Sequence, residues 1–394
     1  MLYLFTNIKE YEIFKSIEEF KRTDDNSLII DKLINFAISN GITGNILKKY
    51  IIYVLINNKN PYTLAIERHN KYSGNISFVD NDLKYFYDLY NLDTRVEELN
   101  NFKFISSNIS PIISSTIDEI ESKISDYESF KNSIISFFEN KGIADMSLYK
   151  AFRVNNGNLD PIKNVSDVTF DDLIGYDYQK NLLKENTINF INNNKFNNVL
   201  LYGESGTGKS TSIKAVLNEF FDKGLRIIEV YKHQMEEISK IIETLKQRPY
   251  YYIIYMDDLS FEENEIEYKY LKSVIEGGIE NKPNNVVIYA TSNRKHLIRE
   301  NMSDNGTVFD DLHRSETKSE KLSLAYRFGL QIYYSSLTPT EFKKMVKELA
   351  IRNEINLEEN ILLEEALKWQ MSYGSLSGRC AQQFISYIIN KTKK

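Results

Sequence analysis

Two hydrophobic rhythms divide the chain. Over the first 160 or so residues the apolar positions recur at helical spacing, as in the stripe Phe130, Ile134, Phe137 and Phe138. Thr116-Ile117-Asp118-Glu119 reads as a helix-capping box ahead of Ile120, Ile124 and Tyr127. Such stripes predict helices packed into a core. From about 165 to 336, apolar runs of strand length at 199–202, 225–230, 251–256, 286–291 and 330–335 alternate with helical patterns. That alternation predicts a doubly wound parallel sheet with helices on both faces. Three amphipathic stretches, 341–352, 358–371 and 379–390, follow it. Between the two regimes, Asn155-Asn156-Gly157-Asn158-Leu159-Asp160-Pro161 is rich in turn formers and predicts a linker.

The most informative polar interruption follows the 199–202 strand. Gly203-Glu204-Ser205-Gly206-Thr207-Gly208-Lys209-Ser210 has the spacing GxxxxGK[ST], and Thr211 opens a run with Ile213, Val216, Leu217 and Phe220 on one helical face. In such a turn successive backbone N–H groups point inward and hold phosphate oxygens, and the start of the following helix adds its positive dipole end. Lys209 is placed to reach terminal phosphates and Ser210 to offer its hydroxyl to magnesium. The ligand implied is ATP with Mg2+. An ordinary glycine turn is the alternative, and the strand–loop–helix context argues against it.

Two further strands end in polar residues. The 251–256 run finishes at Asp257-Asp258. Magnesium takes hard oxygen ligands and keeps several waters, which suits Asp257 at the strand tip. Asp258 stands where many ATP hydrolases carry a glutamate that polarises the attacking water. Aspartate is shorter by one carbon–carbon bond, about 1.5 Å, so either a small shift brings it to the water or Glu262 assists. A solvated acidic turn is the alternative. The 286–291 run leads through Ser292 to Asn293, whose amide can meet a γ-phosphate or the attacking water. Arg327 precedes the last strand and Arg379 opens the last helical stretch. Both are candidate phosphate sensors, although a lone arginine is more commonly a surface ion pair.

Length and composition narrow the setting. A chain of 394 residues accommodates two or three domains. The net charge of −6 is mild and both signs are interspersed, so nucleic-acid binding is not indicated, a local basic patch aside. Cys380 is the one cysteine, so an internal disulfide is excluded and a reducing cytoplasm is expected. No apolar run approaches the roughly 20 residues of a membrane span, and the first residues lack the basic and apolar regions of a signal peptide. His69, His233, His296 and His313 are scattered without metal-ligand spacing.

Taken together, these motifs resemble the AAA+ ATPases, and the segment Phe170 to Gln179, Phe-Asp-Asp-Leu-Ile-Gly-Tyr-Asp-Tyr-Gln, resembles the AAA+ element that packs against adenine. More specifically, the chain is similar to an uncharacterised bacterial ATP-binding family, domain of unknown function number 815, over about residues 145 to 390. The stretches that carry this likeness are Leu148 to Arg153, Asp257 to Glu262, Glu276-Gly277-Gly278, Tyr289 to Leu297, Ser315-Glu316 and Glu320 to Leu324. The helical spacing predicts a mainly helical N-terminal domain over 1–160, whose first 140 residues carry no likeness, and the resemblance implies an AAA+ nucleotide-binding α/β core over 161–337 and a helical lid over 338–394. It implies nucleotide contacts from Gly203 to Thr211, Ile174, Gly175 and Arg379, with magnesium at Ser210 and Asp257. Asp258, Asn293 and Arg327 take the catalytic places, Arg327 as an arginine finger. Tyr326 departs from the small or acidic residue of that pattern, which leaves Arg314 as the other finger candidate. The leading expectation is a homo-oligomeric ATPase that remodels or loads an unidentified macromolecular client; the aspartate at 258 in place of a glutamate keeps a nucleotide-gated binding module with little turnover as the alternative.

Overall fold

The computed structural model describes residues 2–67, 76–104, 112–262, 265–276, 283–295, 297 and 324–392, and two compact units emerge. The first comprises Met1–Tyr149 together with the short segments Pro161–Asn164 and Gln247–Pro249. Its central element is the helix Ile46–Ile56, apolar around most of its circumference and buried along nearly its whole length. The helices Ser27–Asn40, Ile76–Tyr90, Ile112–Glu121 and Tyr127–Lys141 pack around it. Phe130, Ile134, Phe137 and Phe138 are all buried, as their spacing predicts.

The capping box expected at Thr116 does not form. Thr116 lies inside the helix Ile112–Glu121, because Ile113, Ile117 and Ile120 share one buried face and carry the helix through it. The box that does form is Asp126 with Ser129, at the start of Tyr127–Lys141: Ser129 N–H donates to Asp126 at 2.8 Å and Ser129 Oγ accepts from Asp126 N–H at 2.8 Å.

The second unit holds a seven-stranded sheet of β1 (Ala151–Asn155), β2 (Asn158–Pro161), β3 (Val199–Gly203), β4 (Leu225–Glu229), β5 (Tyr251–Met256), β6 (Val286–Ser292) and β7 (Leu330–Tyr334) in the order β2-β1-β4-β5-β6-β3-β7. β3, β4, β5, β6 and β7 fall where the apolar runs predict them and pair in parallel. β5 and β6 are buried almost residue by residue, which requires cover on both faces. This is the doubly wound parallel architecture that the alternation of strands and helices predicts. β3 pairs with β6 on one side, Val199 opposite Tyr289, and with β7 on the other, Val199 opposite Leu330. The chain leaves β3 for β4, beyond β6 and β5, so β3 sits at a topological switch, where ligands of open α/β sheets bind at the carboxyl ends of strands.

One expectation is corrected. The Asn155 to Pro161 run is not a linker but a tight turn between two sheet strands, with Asn156 and Gly157 both at positive φ. β1 pairs in parallel with β4, Phe152 opposite Ile228. Turn formers mark a change of direction, and periodicity alone does not say whether the chain turns within a sheet or between domains.

Three terminal helices, Pro339–Arg352, Glu359–Tyr373 and Gly378–Thr392, form a lid with its own apolar core around Phe342, Val346, Leu362, Ala381 and Phe384. Thr338 caps the first, its hydroxyl accepting from Glu341 N–H, with Pro339 in the first turn where its missing N–H costs nothing. Ile174 and Tyr176 pack against this core.

Candidate functional site

The glycine-rich loop leaves β3 through backbone that only glycine tolerates. At Gly203, φ is 134°, and a Cβ there would lie 2.0 Å from the Tyr334 carbonyl oxygen at the end of β7. At Gly206, φ is 77°, and a Cβ would lie 2.9 Å from Cβ of Arg379 on the lid. The loop is thus pressed between the neighbouring strand and the third lid helix, whose Arg379 N–H donates to the Gly206 carbonyl at 3.1 Å. Thr207 is buried and donates to the Glu204 carbonyl at 2.8 Å, closing the turn. The helix Lys209–Phe220 starts directly at the loop and buries Ile213, Val216, Leu217 and Phe220.

Lys209 is 7% exposed. Its ammonium donates to the carbonyls of Gly203 at 2.9 Å and Glu204 at 2.7 Å and to Asn293 Oδ1 at 3.1 Å. Burial lowers its pKa, and the carboxylates of Asp258, Asp257 and Glu204 act in the opposite sense. Asn293 Nδ2 donates to Asp258 Oδ1 at 2.6 Å. Asn293 therefore joins a cation from the loop to a carboxylate from the tip of β5. Asp258 itself has φ 48°, a left-handed backbone at the strand end that aspartate tolerates better than most residues.

Asp257 Oδ1 collects four donors: Ser210 Oγ at 2.7 Å, Tyr255 OH at 2.7 Å, Thr291 Oγ1 at 2.6 Å and the Asp258 N–H at 3.2 Å. Burial raises the carboxyl's pKa, but the bonds from Thr291, Ser210 and Tyr255 outweigh it and the net shift is downward. Tyr255 is pushed up, first by burial and then by the adjacent Asp257 charge, so its phenol stays a donor.

These groups line a cleft of about 470 Å³ that also takes in Val168, Leu173, Ile174 and Tyr176 and, from the lid, Met345 and Gln382. Its polar end is the loop with Asp257, Asp258 and Asn293, and its apolar end lies between the 168–176 segment and the lid. Ser205, Gly206, Thr207, Gly208, Lys209, Ser210, Thr211, Ile174 and Arg379 all line it, with Arg379 Nη1 3.4 Å from Ser205 Oγ. Gly203 and Glu204 do not line it; their carbonyls accept from the Lys209 ammonium. Gly175 lies instead on an adjacent cavity of about 720 Å³ with Tyr178 and Arg352.

Arg327 is not brought to this cleft. It stands on the turn before β7 and pairs with Glu276 of the helix Glu267–Glu276. Glu262 does not line the cleft either, and Arg314 lies outside the described residues. Tyr255 and Thr291 are site residues that the motifs alone miss. The signal is present in the chain: each lies two residues before a strand-end polar group, Asp257 or Asn293, and residues two apart in a strand share a face.

The donor set fits magnesium. Ser210 and Asp257 offer hard oxygens beside the glycine-rich loop. Among the described residues no group of three or more His, Cys, Asp or Glu side chains forms a metal site. Among the described residues no helix is long and apolar enough to cross a membrane.

No curated protein matches the chain. Among solved structures it is similar to two point variants of Thermotoga maritima RuvB, at 16% and 17% identity with TM-scores of 0.39 and 0.38. Each alignment covers 56% of this chain and 64% of the RuvB chain, so the chain spans less than two thirds of those relatives. A further Thermotoga maritima RuvB structure, described as the Holliday junction branch migration motor, aligns at 14% identity and TM-score 0.33 over 56% of this chain and 72% of that one. A family model described as protein of unknown function DUF815 matches residues 146–392, the whole of the sheet and almost the whole of the lid, and the chain belongs to that family.

Proposed function

We propose that the cleft binds ATP with magnesium and hydrolyses it, and that turnover in a homo-oligomer remodels or loads a macromolecular client. The observation that carries this reading is the bridge made by Asn293 between Lys209 and Asp258. A cation suited to terminal phosphates and a carboxylate suited to orienting water are tied to one amide.

Each residue then has a physical task. The backbone N–H groups from Gly203 to Ser210 bind phosphate oxygens, and Lys209 exchanges its carbonyl acceptors for the terminal phosphates. Magnesium, when bound, neutralises phosphate charge. Asp258 orients the attacking water and accepts its proton, with Asn293 fixing the carboxylate. Val168, Ile174 and Met345 exclude water from the base. Arg379 approaches the phosphates from the lid, and Arg327 serves a neighbouring subunit's site rather than its own. The buried thiol of Cys380 suits a reducing cytoplasm.

Asp258→Asn tests the reading. It should leave ATP affinity within about threefold of the parent while cutting hydrolysis by about 10² or more, the size of a general-base contribution. Turnover at the parental rate would remove Asp258 from the mechanism. The variant, holding ATP, is also the bait for the client.

A second reading is a nucleotide-gated module with little turnover. It is favoured by the short Asp258 side chain, already engaged by Asn293 at 2.6 Å. Arg327 separates the two. If it acts on a neighbour, Arg327→Ala should bind ATP normally and lose about 10³ in rate, and mixing it with Lys209→Ala subunits should restore activity. Constant, near-zero turnover at every protein concentration favours the gated module.

A further inference from the structure

The clustering of three hydroxyl donors on one oxygen of Asp257 has a mechanical reading that rests on the proposed nucleotide site. We infer that Thr291 and Tyr255 are positioning residues for the magnesium-bearing end of the cleft, with Thr291 setting both carboxylates at once.

Thr291 is 2% exposed on β6, between β3 and β5. Its hydroxyl has one hydrogen to give and lone pairs to receive, and both capacities are used. Oγ1 donates to Asp257 Oδ1 at 2.6 Å and accepts from Asp258 N–H at 2.9 Å. The first bond holds the Asp257 carboxylate against β6. The second holds the peptide between Asp257 and Asp258, at the point where Asp258 adopts φ 48°. One side chain on the neighbouring strand thus fixes the rotamer of the first aspartate and the backbone turn that directs the second. Tyr255 acts on Asp257 alone: it is buried on β5, and its phenol reaches the same oxygen at 2.7 Å.

This arrangement bears on magnesium rather than on nucleotide as such. Ser210 also donates to Asp257 Oδ1, at 2.7 Å. For Ser210 Oγ to serve as a ligand, its hydrogen must stay on an acceptor behind it, and Asp257 is that acceptor only while held in place. Groups that orient a ligand or its acceptor typically change metal affinity by about 10–100-fold when removed. A purely structural role for Thr291 would instead change stability and leave the magnesium response alone.

The test is a titration of magnesium against binding of a fluorescent ADP analogue, with a parallel measurement in chelator, on the full chain. Thr291→Val keeps the shape and removes both bonds. It should raise the magnesium concentration for half-maximal tightening at least tenfold, with chelator affinity unchanged. Thr291→Ser should stay within about twofold of the parent. Tyr255→Phe, which spares the Asp258 turn, should shift the midpoint by a few-fold. A thermal melt establishes that each variant folds, and Tyr255→Phe alone decides the matter if Thr291→Val does not. A parental midpoint in the folded variants, or a loss in Thr291→Ser as large as in Thr291→Val, overturns the inference while leaving the nucleotide site intact. A parent that binds nucleotide with no magnesium response also overturns it. A parent that binds no nucleotide at all overturns the reading of the cleft as well.

Discussion

Two carboxylates, one in each compact unit, are held almost alike and exposed quite differently. In the first unit Asp82 is fully buried and accepts the backbone N–H groups of Tyr3, Leu4 and Phe5, at 2.7 Å for Leu4. In the second unit Asp257 is just as richly hydrogen-bonded, but three of its four donors are hydroxyls and it lines the cleft. A backbone N–H has no other use once its segment is fixed, so Asp82 is a staple that ties the chain's start to the helix Ile76–Tyr90. A hydroxyl both donates and accepts and can turn, so the shell of Asp257 can hold the carboxylate and still rearrange around a ligand. The first unit repeats the staple elsewhere: Glu67, fully buried, accepts from Ile143 N–H at 3.1 Å and pairs with Arg248 at 2.6 Å. Buried polar chemistry becomes a candidate site where its partners face a cleft, and remains architecture where they close on one another.

Removing each carboxylate puts this contrast at greatest risk. Asp82→Ala leaves the buried N–H of Phe5 and the part-buried N–H groups of Tyr3 and Leu4 without their acceptor and should destabilise the protein by about 3 kcal/mol, since an orphaned buried group costs about 1–3 kcal/mol and the part-buried ones less. Denaturant unfolding measures it, and nucleotide affinity of the folded protein should not change. A loss below about 1 kcal/mol would mean that water replaces the carboxylate and that Asp82 is no staple.

Asp257→Asn should do the reverse. The hydroxyls of Ser210, Tyr255 and Thr291 can re-form bonds to an amide oxygen or to water, so the stability change should stay within about 1 kcal/mol. The magnesium dependence of nucleotide binding should weaken at least tenfold, or about 1.4 kcal/mol. A large loss of stability with an unchanged magnesium titration would place Asp257 with Asp82 instead.

The smallest effect separates the two kinds of carboxylate through pH. Asp80, in the first unit, is held at about 2, below its ordinary 3.8, first by Lys131 at 2.6 Å and then by Tyr127 at 2.7 Å. A carboxyl with a depressed folded pKa contributes stability above its unfolded pKa, and that contribution is lost as pH falls through the folded value. The window therefore runs from about pH 4 down to about 2. Allowing for solvent screening of this partly open pair, the loss should be about 1 kcal/mol or less. Thermal melts of the parent and of Lys131→Met across that window should converge at the acid end. Parallel curves at all pH values would assign the acid loss to other groups.

The glycine-rich loop, the five parallel strands of the core and the three lid helices are each written in a local pattern of residues, and so are legible in the chain. Gly203 and Gly206 must be glycine, β5 and the first part of β6, Val286–Ala290, must be apolar, and Lys209 must follow the loop. The placement of Asp257, Asp258 and Asn293 at strand ends is equally local. Which of these ends meet is a matter of the fold. Nothing in the spacing of residues 209, 258 and 293 says that one amide bridges a lysine and an aspartate, because that depends on β3, β6 and β5 lying side by side in the sheet. The same holds for Thr291 on Asp257 and for Arg327 turning to Glu276 rather than to the cleft. It holds also for the turn-rich run after Ala151–Asn155, which is a sheet edge only because β4 is there to pair with β1. Local propensity acts between near neighbours along the chain, whereas hydrogen bonds between strand ends are set by sheet order, a property of the folded whole.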